Sequence, residues 1–337
     1  MGERIFSKYQ YGPEATRGTI VPATKILIGA EQKPIPMDWK PVYPADNLGV
    51  RIESGRSLKS ELFVEDSIGI PHAYFQVLPF FFKHGLKGGV TAAPVTANQT
   101  DYLWTFSPTL NAANNPNTFT LEAGDDMQAY VREYCMFKDI KISGEIAQDG
   151  SESPIKIEAN YFARQVAKQN FTASLVAAAV TSMSAKKTRL YDDSTWAAAG
   201  NTEVTATLRG FELEILNGNH PKFFGDANLY FSSYGEGFVQ AMLTLTLEGN
   251  AAAGVIYDEC DAQTFRAIQL KMLGDAIVNT NSTHALTTNI WGQWEKVVPL
   301  NAESQNNNLH QALFHGLIST DLANALAVTV VTNTNTV

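Results

Sequence analysis

One long ribbon constrains this chain more than any other stretch. Residues 130–166 read as a β-hairpin whose arms are 130–146 and 154–166. In the second arm Ile155, Ile157, Ala159, Tyr161 and Ala163 share one parity, while Lys156, Glu158, Asn160 and Arg164 share the other. That alternation is the signature of a strand with one dry and one wet face. The first arm changes phase: Val131, Cys135 and Phe137 are odd, whereas Ile140, Ile142 and Ile146 are even. A bulge near Lys138-Asp139 accounts for the switch, because one extra residue re-aims every side chain beyond it. Gln148, Asp149, Gly150, Ser151, Glu152 and Ser153 form a turn-rich tip. A hairpin of this length exceeds what an ordinary domain requires, so its tip is a candidate contact with other chains.

The rest of the 337-residue chain supplies enough strands for a mainly β protein. Alternation or apolar runs predict strands at 25–28, 48–54, 60–66, 102–106, 118–122, 203–216, 238–248, 265–273, 286–298, 309–318 and 326–331. The 203–216 strand also switches parity, at Gly210. A helix is expected over Ile70–Gly85, kinked or split by Pro79 and stopped at Gly85. A second is expected over Ala251–Gln263. The first 46 residues carry Pro13, Pro22, Pro34, Pro36, Pro41 and Pro44 and read as an extended arm whose aromatics pack on something.

Element order repeats. Strand, helix, strand, Asn-rich loop, strand and hairpin occur in each half, without residue identity between them. The expected organisation is an arm over 1–46, a β domain over 47–170, a linker over 171–190 and a second β domain over 191–337.

Charge and chemistry narrow the function. Net charge is −9, divided as −2 over residues 1–170 and −7 over 171–337. An acidic surface disfavours tight binding to nucleic-acid phosphates. Cys135 and Cys260 are too few and too far apart for a disulfide framework or a zinc site. No signal-peptide pattern opens the sequence, and its apolar runs are too short to span a membrane.

Walker, G-x-G-x-x-G, G-x-S-x-G and H-E-x-x-H motifs are absent, so no cofactor, metal or catalytic residue is assigned. Asp125-Asp126 and Asp192-Asp193 read as turn caps. His310 and His315 face opposite sides of a strand. Trp291, Trp294 and Glu295 are the sole candidates for a carbohydrate cleft. Glu158, Glu212, Glu214 and Glu248 lie at wet-face positions of strands, where a solvated face or an interface are both open readings.

Several stretches together resemble the tail tube (major tail) proteins of long-tailed bacteriophages. They are Thr118–Gly124 before Met136–Ile142, then Tyr191–Trp196 followed by Val204–Asn217 with Gly218, and the opening Gly12–Thr16 and Val21–Thr24. The resemblance implies two β-sandwich or barrel domains, each with a flanking helix, and no enzymatic activity. It implies self-assembly into stacked rings around a channel for DNA ejection. Trimeric rings with pseudo-sixfold symmetry are preferred for a duplicated chain, hexameric rings second. Implied partners are tape-measure, tail terminator and tail tip proteins, with transient, non-specific passage of genomic DNA and no membrane. The implied location is the virion tail, after assembly in the host cytoplasm. Glu158, Glu212, Glu214 and Glu248 become candidates for an acidic channel wall or interface, and Gln148–Ser153 for contacts between subunits or rings. Two other readings stay open: a capsid or decoration subunit, and a β-sandwich carbohydrate-binding module or enzyme.

Overall fold

The structure is a computed structural model that describes residues 4–36, 38–47, 49–51, 55–97, 99–304, 307–319 and 325–337. The first half contains β1 (Lys8–Pro13), β2 (Lys25–Ile26), β3 (Trp39–Val42), β4 (Leu58–Leu62), β5 (Val64–Ile70), α1 (Leu78–Gly85), β6 (Ala93–Pro94) and β7 (Tyr102–Phe106). It continues with β8 (Phe119–Gly124), β9 (Ala129–Phe137), β10 (Asp139–Glu145), β11 (Ile155–Ala163) and β12 (Gln165–Gln169). The second half contains β13 (Thr188–Asp193), β14 (Leu208–Leu216), β15 (His220–Lys222), β16 (Ser233–Gly235), β17 (Gln240–Glu248) and α2 (Ala251–Asp261). It ends with β18 (Phe265–Ala276), β19 (Thr283–Ser304), β20 (Asn307–Gly316) and β21 (Leu326–Thr332). The protein is therefore mainly β, with two short helices and an extensive antiparallel sheet.

The expected hairpin is present in two storeys. β10 pairs with β11 near the tip, and β9 pairs with β12 at the base. The break falls at Lys138, whose N–H donates across to the Asn160 carbonyl. Cys135 and Phe137 before the break and Ile140 and Ile142 after it all face the core. The second parity switch coincides with a register shift between Leu208 and Gly210 against β17.

Seven strands form the frame, in the order β5-β11-β10-β14-β17-β20-β19, every neighbour antiparallel. The junction of β10 with β14 joins the two halves: Asp139 pairs with Leu216, and the register runs on to Glu145 with Gly210. β19 is long enough to serve twice. Its first part lies between β18 and β21, and its later part pairs with β20. A companion sheet contains β2-β1-β8-β9-β12.

The seven-stranded sheet keeps its two faces distinct because each strand alternates. Ile157, Ile142, Leu213, Leu243, Ala312 and Phe314 are buried on one face. Both helices pack on the core. α1 meets β9 and β10, and α2 meets β19. Phe80 of α1 sits 4.9 Å from Phe119 and 5.3 Å from Phe137, ring centre to ring centre. Burying such a side chain contributes about 1.5–3 kcal/mol. One continuous apolar cluster runs from Tyr9 to Val330, through both halves.

Two expectations are corrected. The first helix begins at Leu78, because Ile70 belongs to β5 and Pro79 occupies the first turn. A proline there loses no helical hydrogen bond, so it starts the helix and does not kink it. Within the first 46 residues β1 pairs along β8, and Tyr9 and Tyr11 are buried. The 203–216 strand starts only at Leu208. The expected 48–54 strand falls largely on residues 48 and 52–54, which lie outside the described residues. α2 matches its expected span closely, capped by the Asn250 side chain, which accepts from the Ala253 N–H.

Candidate interaction surface on the polar face of the sheet

The wet face of the frame is assembled by strand register. Glu158, Lys141 and Glu214 are successive cross-strand neighbours on β11, β10 and β14. One step along, Lys156, Ser143, Glu212, Thr244 and Leu313 form the next row. Side chains facing each other across a ladder are about 4.5–5.5 Å apart at Cβ, so they interact directly. All four sequence-selected carboxylates, Glu158, Glu212, Glu214 and Glu248, belong to this frame.

The face is not a bare acidic wall. Lys141 Nζ lies 2.7 Å from Glu212 Oε1. The Glu212 hydrogen bond, with the nearby charges of Glu214 and Glu158, raises the ammonium pKa above its ordinary value. Glu158 meets Lys33 Nζ at 3.1 Å, and Glu248 meets the Arg209 guanidinium. Carboxylates and cations therefore interleave. Solvent-exposed pairs of this kind contribute only about 0–1 kcal/mol each. Their larger effect is on the field, since alternating signs cancel within a Debye length of about 8–10 Å. Lys33 and Arg209 were not expected on this surface. Lys33 reaches it from a proline-rich segment, and Arg209 precedes the Gly210 phase switch, so strand parity identifies neither.

The hairpin tip bounds one end of the face. Gln148, Asp149, Gly150, Ser151 and Glu152 are exposed, whereas Ser153 is buried. Ser153 is a structural anchor: its Oγ accepts from Ala147 N–H and its carbonyl from Ala185 N–H, at 2.9 and 2.8 Å. Gln148 Oε1 accepts from Arg209, tying the tip to β14. Between tip and sheet lies a cleft of about 790 Å³, lined by Glu145, Gln148, Lys156, Arg209, Glu212 and Thr244 among others.

Other singled-out residues have structural duties. Asp193 accepts from the N–H groups of Gly200, Asn201 and Thr202, and Asp125 from those of Met127 and Gln128. Asp192 lies 2.6 Å from Arg266, which also meets Glu259 of α2 at 3.1 Å. Burial, then the charge of Asp192, raises the Glu259 carboxyl to about 7. Trp294 is buried over α2 and donates to Glu259, while Trp291 stacks on Phe265. Among the described residues no group of three His, Cys, Asp or Glu is placed to hold a metal ion. No described helix is long and apolar enough to cross a membrane.

Sequence reading missed two buried carboxylates. Glu14 accepts from Gly18 N–H, Tyr134 N–H and the hydroxyls of Thr118 and Thr120. Glu122 accepts from Ala23 N–H, Gln10, and both the N–H and hydroxyl of Thr172. They fasten the N-terminal segment and residue 172 to β8. The Thr118, Thr120, Glu122 alternation was a signal, but it reads as a wet face; here both faces of β8 are covered.

No family model matches this chain, and no curated protein matches it.

Proposed function

We propose that the chain is the structural subunit of a phage tail tube, self-assembling into stacked rings around a channel for DNA. The single observation that carries this reading is the seven-stranded sheet running through both halves, one face packed on the apolar core and the other carrying Glu158, Lys156, Lys141, Ser143, Glu212, Glu214 and Thr244 in register. A broad polar face with interleaved charges suits a bore that DNA must traverse without adhering, because it offers phosphates no concentrated positive patch. Each half contributes strands to that sheet and contains one helix, in keeping with two tube-like units in one subunit. Three such subunits would then supply six units per ring. The later part of β19 pairs with β20 and, among the described residues, with no strand on its other edge. An unpaired edge of that kind is a template for another chain.

Electron microscopy of the purified protein tests the proposal. Hollow tubes support it. Closed shells favour a capsid or decoration subunit, and dispersed monomers a binding module or enzyme.

A further inference from the structure

α2 lies on the sheet by a narrow stripe. Ala253 and Ile256 are buried, whereas Val255 and Tyr257 stand in solvent. Glu259 falls one turn past Ile256, so the same stripe ends on a carboxylate. Its side chain is only 13% exposed. Three strands meet it there. From β19 the Trp294 indole donates to Oε2 at 3.3 Å, and from β18 the Arg266 guanidinium lies 3.1 Å from Oε1. From β13 Asp192 meets the same guanidinium at 2.6 Å. Asp193, the next residue of β13, is engaged with the N–H groups of Gly200, Asn201 and Thr202.

The charges do not balance. Two nearly buried carboxylates share one cation. No base stands in the last turn of α2, which instead carries Asp258 and Asp261 on its exposed side. A helix C-terminus is the negative end of its dipole and gives a carboxylate no help. A surplus buried carboxylate is costly enough that it takes up a proton and stays neutral. The pair therefore holds one proton between its members. Burial raises both acids, and the charge of Asp192 adds to the effect on Glu259, raised to about 7.

This cluster sits where the frame loses its cover. β18 stops pairing with β19 at Gln293. Cys260 Sγ reaches the Trp294 carbonyl at 3.5 Å, and the Gln293 side chain donates to the Gln263 carbonyl at 2.7 Å. The end of α2 and the turn after it thus cover the first residues of the edge that β18 leaves open.

We infer that one proton shared by Asp192 and Glu259 latches the C-terminal end of α2 onto β13, β18 and β19, and that its loss to an alkaline solution frees that end. Two like charges then crowd one guanidinium, and the helix keeps only Ala253, Ile256 and the Asn250 cap as attachments. Release bares Trp294 and extends the open edge of β19. The latch requires only the single chain and holds whatever that chain assembles into.

Hydrogen exchange of the full chain, corrected for the intrinsic rate at each pH, tests the latch. Protection of amides 254–261 should fall about tenfold between pH 6 and pH 8.5, because the acid binds its proton up to about 7 when docked and only to 4.5 when free. At each pH these amides should exchange faster than those of β10 and β14, since the opening is local. Glu259→Gln removes the titration. Asp192→Asn leaves Glu259 in a simple ion pair with Arg266 and serves as a second variant. In both, protection should change by less than about threefold over the same range. No fall in the parent, a fall that persists in both variants, or helix amides that exchange only as fast as β10 and β14 would each overturn the latch.

Discussion

Ile142 on β10 and Leu213 on β14 are register partners across the junction of the two halves, and both are completely buried. The halves therefore share a ladder and a core, and they should unfold together. Truncating Ile142 to Ala should cost about 2–4 kcal/mol, the usual range for a large aliphatic side chain in a packed interior. Differential scanning calorimetry of the dissociated subunit should show one transition, lowered in the variant. Two separable transitions, with only one moved, would mean that each half folds independently.

The buried carboxylate of Glu14 gives a second prediction. It accepts four hydrogen bonds that hold the N-terminal segment on β8 and β9. Glu14→Ala leaves buried donors unpaired, which costs about 1–3 kcal/mol per group left unsatisfied. Urea denaturation should report a loss of at least 2 kcal/mol by this reasoning. A loss below ~0.5 kcal/mol, the level of ordinary surface changes, would show that the staple is dispensable.

Stability should fall as pH rises through neutrality. Folding raises the Glu259 carboxyl from 4.5 to about 7, so the folded state holds a proton that the unfolded state has already released. Between those values stability declines with increasing pH, because the native state binds more protons there. It levels off above the folded value. Glu259→Gln keeps the hydrogen-bonding shape and removes the titration, so its urea midpoint should change less between pH 5 and pH 8. Identical slopes in variant and parent would exclude Glu259 as the source.

Under the proposed tube function, the exposed hairpin tip is expected to bear on assembly more than on folding. Deleting Asp149–Glu152 leaves Gln148 near Arg209 and Ser153 against Ala185. The thermal midpoint should shift by no more than a few degrees, while tube yield falls severalfold. Full yield by electron microscopy would remove the tip from the subunit contacts.

Strand alternation located most of this fold from sequence. Even the two parity switches near Lys138 and Gly210 mark true irregularities. What the sequence concealed was depth. Thr118, Thr120 and Glu122 alternate as a solvated face does, but β1 and residue 172 cover them, and that layer comes from segments distant in the chain. The candidate surface was readable to the same degree. Register gathers the four selected glutamates on one frame, whereas Lys33 and Arg209, which pair with two of them, arrive from outside the regular pattern. Side-chain pairing across strands depends on register, and register is not visible until the partners are known.

The central claim concerns which way the polar face points. A reconstruction of the assembled protein by electron cryomicroscopy, with its rotational symmetry determined, tests it directly. The account predicts threefold rings in which Glu158, Lys141 and Glu214 line a hollow bore and both helices lie outside. A solitary 36.8 kDa particle at high concentration, or a tube with that face turned outward, would contradict it.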